Sequence, residues 1–178
     1  MRTISKRTQY GLKATLALAR RYREKEPLLI PTLSEQESIP LKFLEGILLS
    51  LKRHGLLESK KGKHGGYRLS RPPSTITIGT VIRILEGPLA PLPCASETAF
   101  RPCAECADVE TCATRMIMRQ VRDAMALVLD NTMLSDVLRR VDSARERDSA
   151  AVDRFSEGYV HAIVEDAIRQ TTAAVKKQ

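Results

Sequence analysis

Apolar residues recur at helical spacing along the first half of the chain. In TQYGLKATLALARRY, Leu12, Leu16 and Ala19 follow the i, i+4, i+7 pattern of one helix face. Thr8 stands where it can cap this helix. We therefore predict a first amphipathic helix that begins near Thr8.

Two further helices are predicted around the prolines that follow. Thr32 and Glu35 have the spacing of a capping box, which favours a short helix that Pro40 ends. Pro40 also suits the first turn of the next helix, and Gly55 supplies its stop. In that helix one face carries Leu41, Leu44, Leu48 and Leu51, and another carries Lys42, Glu45, Leu49 and Lys52. Two helices across a tight turn predict a helix-turn-helix, although helix pairs are also common without DNA binding.

A hairpin follows directly. LLESKKGKHGGYRLS predicts one strand over residues 56–59, a basic glycine-rich turn and a return strand over residues 67–69. Glycines permit a close approach to phosphate, and lysines supply counterion-releasing contacts. Behind a helix-turn-helix, this pattern indicates a wing rather than a merely solvated hairpin.

A fourth helix closes the module. Thr77 caps it, and Gly87 ends it before Pro88. The predicted core of the module consists of Leu12, Leu16, Leu44, Leu48, Leu51, Ile82 and Leu85.

The helical pattern resumes at Cys112 and continues to about Asp130. This stretch is strongly apolar along one face, so a second copy of the chain is predicted to cover Ile117, Val121, Met125 and Val128. Two more amphipathic stretches follow, in MLSDVLRRV and AVDRFSEGYVHAIVEDAIRQTTAAV. The predicted fold is mostly α with a small β-hairpin wing: a winged helix-turn-helix, a long dimerisation helix and a C-terminal helical extension.

The distribution of charge along the chain indicates which kinds of molecule it binds. Residues 1–72 carry 16 Lys and Arg against 6 Asp and Glu, a net charge of +10, whereas residues 73–178 carry a net charge of −2. The basic half favours nucleic acid as a partner, and a solvated charged face is the alternative. No apolar run approaches the length of a membrane span and the N-terminus lacks a signal-peptide core, so we expect a cytoplasmic protein without a membrane partner.

All four cysteines lie within nineteen residues, in an irregular proline-containing loop. Their spacing is C-x8-C-x2-C-x5-C, formed by Cys94, Cys103, Cys106 and Cys112. Four thiolates suit an iron–sulfur cluster or zinc, and a single short Cys pair favours iron–sulfur. A metal-free thiol switch and incidental burial are the alternatives. A small redox enzyme fits less well, because the Cys103–Cys106 pair follows no strand and no phosphate motif accompanies it. No small-molecule substrate is expected.

These elements, in this order, resemble the IscR, NsrR and RirA type of winged-helix regulators, the Rrf family. The resemblance covers residues 1 to about 135 and includes GLLES, GKHGGYRLSRP, ITI and the cysteine loop. It implies a homodimer crossed through its long helices, which binds a palindromic operator in double-stranded DNA under the control of an iron–sulfur cluster.

The resemblance also assigns ligands. The three-cysteine pattern of the family falls on Cys94, Cys106 and Cys112. Where some members have a histidine ligand this chain has Arg115, and where others have a carboxylate it has Gln9. Cys103 is the natural substitute as fourth ligand.

The resulting hypothesis is a transcription regulator rather than an enzyme, which senses iron, redox state or nitric oxide through a metal-binding loop. Its segments are the DNA-binding domain (1–87), the cluster or sensor loop (88–111), the dimerisation helix (112–135) and the C-terminal extension (136–178). The predicted DNA contacts are Lys42, Glu45, Lys52, Lys60, Lys61, Lys63, His64 and Arg68.

Overall fold

A computed structural model describes residues 4–24, 26–62, 65–104, 106 and 108–148. Its elements are five α-helices and one antiparallel hairpin, with a further helical stretch after residue 133. In chain order they are α1 (Lys6–Arg20), α2 (Ile30–Glu37), α3 (Leu41–Arg53), β1 (Leu57–Lys60), β2 (Gly66–Leu69), α4 (Ile78–Glu86) and α5 (Ala113–Asp130). The predicted fold class, mostly helical with a small hairpin wing, is confirmed.

The first helix begins earlier than predicted. Ser5 rather than Thr8 is its N-cap, and the Ser5 hydroxyl accepts from the amide of Thr8. Thr8 is fully buried and donates to Glu86 Oε2 at 2.6 Å. The prediction of a Thr8 cap was wrong because this hydroxyl has a partner on α4, at the far end of the module, which local sequence does not reveal.

The second helix also begins before its predicted capping box. Leu29 is its N-cap and Pro31 lies in its first turn, so Thr32 and Glu35 lie within the helix. Proline is favoured there because the amide that it lacks is unpaired at a helix start. Ser38, in the left-handed conformation at φ 53°, ends α2, and Pro40 then caps α3.

The core lies where α1, α3, α4 and the hairpin meet. Leu44, Leu48, Leu51, Ile82 and Leu85 are buried there as predicted. Leu12 and Leu16 only pack against its edge, because the buried face of α1 carries Gly11, Ala14, Thr15 and Leu18. Leu41, also predicted on the inward face, is 44% exposed because it stands at the very start of α3.

The hairpin has the predicted pairing within one residue. Leu57 pairs with Leu69 and Lys60 with Gly66. Leu28 adds a bridge to Tyr67 through hydrogen bonds in both directions. The wing is therefore joined to the segment between α1 and α2 and to the core through Leu57 and Leu69, which are both buried.

The end of α5 is fastened to α4. Arg83 donates to both carboxylate oxygens of Asp130, at 2.5 and 2.8 Å. The absence of a side chain at Gly79 makes space for this ion pair, since a Cβ there would lie 2.0 Å from Asp130 Oδ1. Leu134, just beyond α5, is fully buried and its amide donates to the carbonyl of Ile76.

The described residues fall into two units, one that ends at Leu138 and one that begins at Arg139. The backbone is helical over residues 134–138 of the first unit and over residues 139–148 of the second. The last predicted helix, from Val152 onward, lies outside the described residues. Within the described part of the chain, no helix combines the length and apolarity needed to cross a membrane. The boundaries of the four predicted segments stay a prediction.

Candidate nucleic-acid interface and cysteine loop

The exposed surface of α3 is basic at both ends and carries the apolar side chains Phe43 and Leu49 between them. Lys42, Glu45 and Lys52 are exposed, as their place on the helix predicts. Lys52 Nζ donates to Ser59 Oγ at 2.6 Å, which ties the end of α3 to β1. Because α3 packs Leu44, Leu48 and Leu51 into the core, these exposed residues are presented by a rigid element.

The wing carries further cations. Lys60 and Lys61 are exposed at the end of β1. Arg68 is half exposed and donates to Glu58, which faces it across the hairpin. This pairing already neutralises part of the charge of Arg68, so Lys60 and Lys61 are better placed to meet phosphate. Lys63 and His64 lie outside the described residues.

Two arginines of α5 hold the cysteine loop. Arg115 donates through Nε to the carbonyl of Cys94 at 3.1 Å and through a terminal nitrogen to the carbonyl of Val109 at 3.3 Å. One helix position thus ties the first part of the loop to its last part. Arg122, two turns further, donates to the carbonyl of Ala95 at 2.8 Å. These side chains are only 16% and 13% exposed, and Cys94 and Ala95, whose carbonyls accept from them, are buried.

Asp108 holds the last part of the loop in a turn. Asp108 accepts from the amide of Glu110 at 2.9 Å and from the hydroxyl of Thr111 at 2.6 Å. These bonds hold the pKa of Asp108 below its usual value, that from Thr111 having the larger effect. The turn that they form leads directly into Cys112, the N-cap of α5.

The four thiols differ in environment. Cys94 is buried, Cys106 and Cys112 are half-buried and Cys103 is exposed. The Arg115 amide in the first turn of α5, and next the Cys106 thiol, lower the pKa of Cys112. The same hydrogen bond to Cys112 raises the pKa of Cys106. Cys112 is therefore the thiol of this pair that ionises more readily, whereas Cys106 Sγ donates to the carbonyl of Asp108 at 3.8 Å.

The donor set suits an iron–sulfur cluster or a metal ion. The four thiols all lie on the loop or at its junction with α5, where Cys112 is the N-cap of the helix. A hollow of about 270 Å³ beside Cys94 is lined by Arg115, Arg119 and Arg122 and by one carboxylate, Glu97, so that the excess of positive charge favours an anionic ligand there. Among the described residues, however, no three His, Cys, Asp or Glu side chains form a ready ligand set. The loop would have to close around a bound group.

The predicted dimer face of α5 is open in the protomer. Ile117 and Val128 are 56% and 64% exposed, and Val121 and Met125 are half-buried. Met116 and Leu127 add 52% and 68% exposed apolar side chains to the same helix. No residue of α5 is buried.

Several site residues escaped sequence reasoning. Arg115 was predicted only as a position unable to bind iron, whereas it spans the loop. Arg122 and the Arg83–Asp130 pair were not predicted to contact anything. Arg115 and Arg122 are seven residues apart and so share a face of α5, which is the one signal that indicates a common partner.

Comparisons with known proteins agree with this architecture. Residues 4–140 match the sequence model of the family described as Rrf2, iron-dependent transcriptional regulator. An rrf2-like HTH-type transcriptional regulator of Rhodobacter capsulatus is 36% identical over 137 residues, which cover 76% of this chain and 91% of that protein.

Two solved structures are similar. The structure of CymR, the global cysteine regulator of B. subtilis, matches with a TM-score of 0.63 and 31% identity, over 77% of this chain and 96% of that one. That of T. potens IscR matches with a TM-score of 0.64 and 26% identity, over 80% of this chain and 90% of that one.

Proposed function

Because the chain belongs to the Rrf2 family of transcriptional regulators, as predicted, and not to a family of enzymes, we propose that it is a homodimer that binds a palindromic DNA operator. We further propose that the state of its cysteine loop sets its affinity for that operator. One observation carries the proposal: the loop containing all four thiols connects α4, in the basic winged module, to the start of the exposed helix α5.

The basic module supplies the DNA contacts. The N-terminal half of α3, with Lys42 and Glu45, enters the major groove, where side chains distinguish base pairs. Lys52, the wing lysines Lys60, Lys61 and Lys63, and also His64 and Arg68, contact the backbone or the neighbouring minor groove. Selection of a site from a pool of random duplexes by the full chain tests this, and a protein that selects no sequence would contradict it.

Dimerisation through α5 places two such modules on one duplex. Ile117, Val121, Met125 and Val128 form the proposed contact, since a helix this exposed and apolar is rarely left uncovered. Val121→Asp places a charge in that contact and is expected to give monomers or insoluble protein. A wild-type monomer in sedimentation at micromolar concentration would contradict the assignment.

The four thiols would hold an iron–sulfur cluster, with Cys94, Cys103, Cys106 and Cys112 as ligands. When bound, such a group supplies reversible redox chemistry and a sensitivity to iron supply. The protein contributes the arginines beside Cys94 and the helix start at Cys112, which both favour thiolate ligands. Serine at Cys94, Cys106 or Cys112 should abolish the visible chromophore, and serine at Cys103 should destabilise or abolish it.

A metal-free thiol switch is the second candidate. The hydrogen bond between the Cys106 and Cys112 thiols brings two sulfurs together without any metal. A hydroperoxide would take two electrons and two protons from the pair, which leaves a disulfide and releases water and the alcohol, or water alone from hydrogen peroxide.

Anaerobic purification followed by iron, sulfide and zinc analysis separates these candidates. Brown protein with iron and acid-labile sulfide supports the cluster. Colourless protein with zinc supports a structural metal, and colourless metal-free protein that forms a Cys106–Cys112 disulfide supports the thiol switch.

A further inference from the structure

Three glycines lie within the helices of the described residues, and two of them have a packing reason. A Cβ at Gly11 would lie 2.1 Å from Leu85 Cδ1, and one at Gly79 would lie 2.0 Å from Asp130 Oδ1. These glycines let α1 and the end of α5 approach α4. Gly46, in the middle of α3, differs from both because nothing lies within 4 Å of the place where its Cβ would stand.

Gly46 therefore makes α3 less stable, and no packing contact within the described part of the protomer requires a glycine there. Glycine in a helix interior is less stable than alanine because it loses more backbone freedom on folding. Gly46 does not have a positive φ, so backbone conformation does not require it either. The reason for a glycine at position 46 must therefore lie in a contact outside the folded protomer.

The neighbours of Gly46 show what approaches it. Lys42, Gly46, Leu49 and Arg53 recur at spacings of four, three and four residues, and all are exposed. They form one stripe along α3, cationic at both ends and uncharged in the middle. Leu49 is 42% exposed, although the other leucines of the central and last turns, Leu48 and Leu51, are fully buried.

We propose that Gly46 is the point of closest approach between α3 and the major groove, and that Leu49 beside it reads the methyl group of a thymine. This inference rests on the proposed DNA-binding function and adds two specificity-determining positions to the charged ones. The cationic ends of the stripe and the +10 charge of residues 1–72 match a polyanion. Apolar contact is the way in which proteins recognise the thymine methyl in the major groove.

The role of Gly46 is tested by two measurements on one variant, which should raise thermal stability and lower DNA affinity. Full-length protein first selects its site from a pool of random duplexes, and Gly46→Ala is then compared with wild type on that site. The variant should raise Tm by about 2–4 °C, and it should lower affinity for the selected site by about tenfold or more. Affinity for unrelated duplex should change much less, because the backbone contacts remain.

Gly11→Ala is the matched control. Its Cβ meets Leu85, so it should lower Tm, while the folded fraction keeps its site preference. If this variant does not fold, the sign of the change at Gly46 is still measured directly against wild type.

Leu49 is tested by removing the methyl group from the DNA. Deoxyuridine replaces each thymine of the selected site in turn, and one such replacement should weaken wild-type binding several-fold. The same replacement should have little further effect on Leu49→Ala, since the two changes remove one contact.

The outcomes separate this inference from the proposed function. A wild-type protein that selects no sequence overturns both. A wild type that selects a site while Gly46→Ala binds it equally well overturns the closest-approach role alone. If Leu49→Ala and wild type respond identically to every deoxyuridine, the thymine contact is wrong.

Discussion

The winged module and the cysteine loop are held together by different forces. The module is packed around fully buried side chains such as Leu44, Leu48 and Leu51. The loop owes its shape to arginine donors on backbone carbonyls, a turn at Asp108 and a thiol pair. Disrupting a buried apolar core costs several kcal/mol, about 2 kcal/mol for each large side chain. Exchanging a few hydrogen bonds near solvent for other contacts costs much less free energy.

That difference indicates where a signal acts. A group bound by four thiols in the loop would compete with hydrogen bonds of modest net value and with the burial of Cys94 and Ala95, so it could reshape the loop without unfolding the module. The end of α5 stays fastened to α4 through Arg83 and Asp130. Changes in the loop would therefore move mainly the start of α5.

The largest expected effect is in the module core. Leu48→Ala should lower the free energy of unfolding by about 2–5 kcal/mol, because the side chain is fully buried and leaves a cavity. Chemical denaturation followed by circular dichroism measures it. The exposed neighbour Leu49→Ala is the control and should change stability by less than about 1 kcal/mol; equal losses would contradict the burial of Leu48.

The same contrast explains what the sequence could predict. Helical periodicity located α3, α4 and α5 within one or two residues, because apolar residues recur at helical spacing along one face of each helix. It misplaced the inward face of α1, where the small residues Gly11 and Ala14 are buried instead of Leu12 and Leu16. Small residues at a close helix contact give no strong hydrophobic signal.

For the cysteine loop, the sequence predicted the kind of chemistry but not the contacts that hold the loop in place. Four clustered cysteines indicate a metal, cluster or redox site, but nothing in their spacing shows that Arg115 ties Cys94 to Val109. Contacts from a long side chain to backbone carbonyls produce no repeating pattern of residue types in the sequence. The same holds for Thr8 and Glu86, which are distant in sequence.

Next in size is the loss of the loop anchor. Arg115→Met should expose the Cys94 thiol in metal-stripped protein and speed its alkylation several-fold, with a cost of about 1 kcal/mol in stability because two carbonyls lose donors. Mass spectrometry of alkylated peptides measures the rate. Arg119→Met, exposed on the same helix, is the control, and a similar rate in both variants would mean that Arg115 does not hold the loop.

The wing gives a smaller, sequence-independent effect. Alanine at both Lys60 and Lys61 should weaken binding to every duplex and reduce the slope of log affinity against log salt by about 4, because each of the two protomers loses two phosphate contacts. Titrations at several salt concentrations measure the slope. The charge-preserving pair Lys60→Arg and Lys61→Arg should keep it, and an unchanged slope in the alanine variant would remove these lysines from the interface.

The smallest effect concerns the fixed end of α5. The hydrogen bond from Arg83, aided by its charge, holds the pKa of Asp130 below its usual value. The resulting stability is present above the unfolded pKa near 4 and is lost as pH falls through the lower folded pKa. Asp130 is 41% exposed, so the pair contributes at most about 1 kcal/mol.

Asp130→Asn should therefore be less stable than wild type at neutral pH, with a gap that narrows as pH falls from about 5 to 2. Urea denaturation across this range measures it. In an Arg83→Gln background the gap should be largely absent; a gap of constant size at all pH values would show that the ion pair is not its source.

The central claim is that the loop controls DNA affinity, and DNA binding by two forms of one protein tests it most directly. Anaerobically reconstituted protein and metal-stripped, reduced protein are titrated with the same operator at the same salt concentration. We expect affinities that differ by about tenfold or more, which corresponds to a coupling of about 1.4 kcal/mol. Equal affinities would contradict the account and reduce the cysteine loop to a structural support.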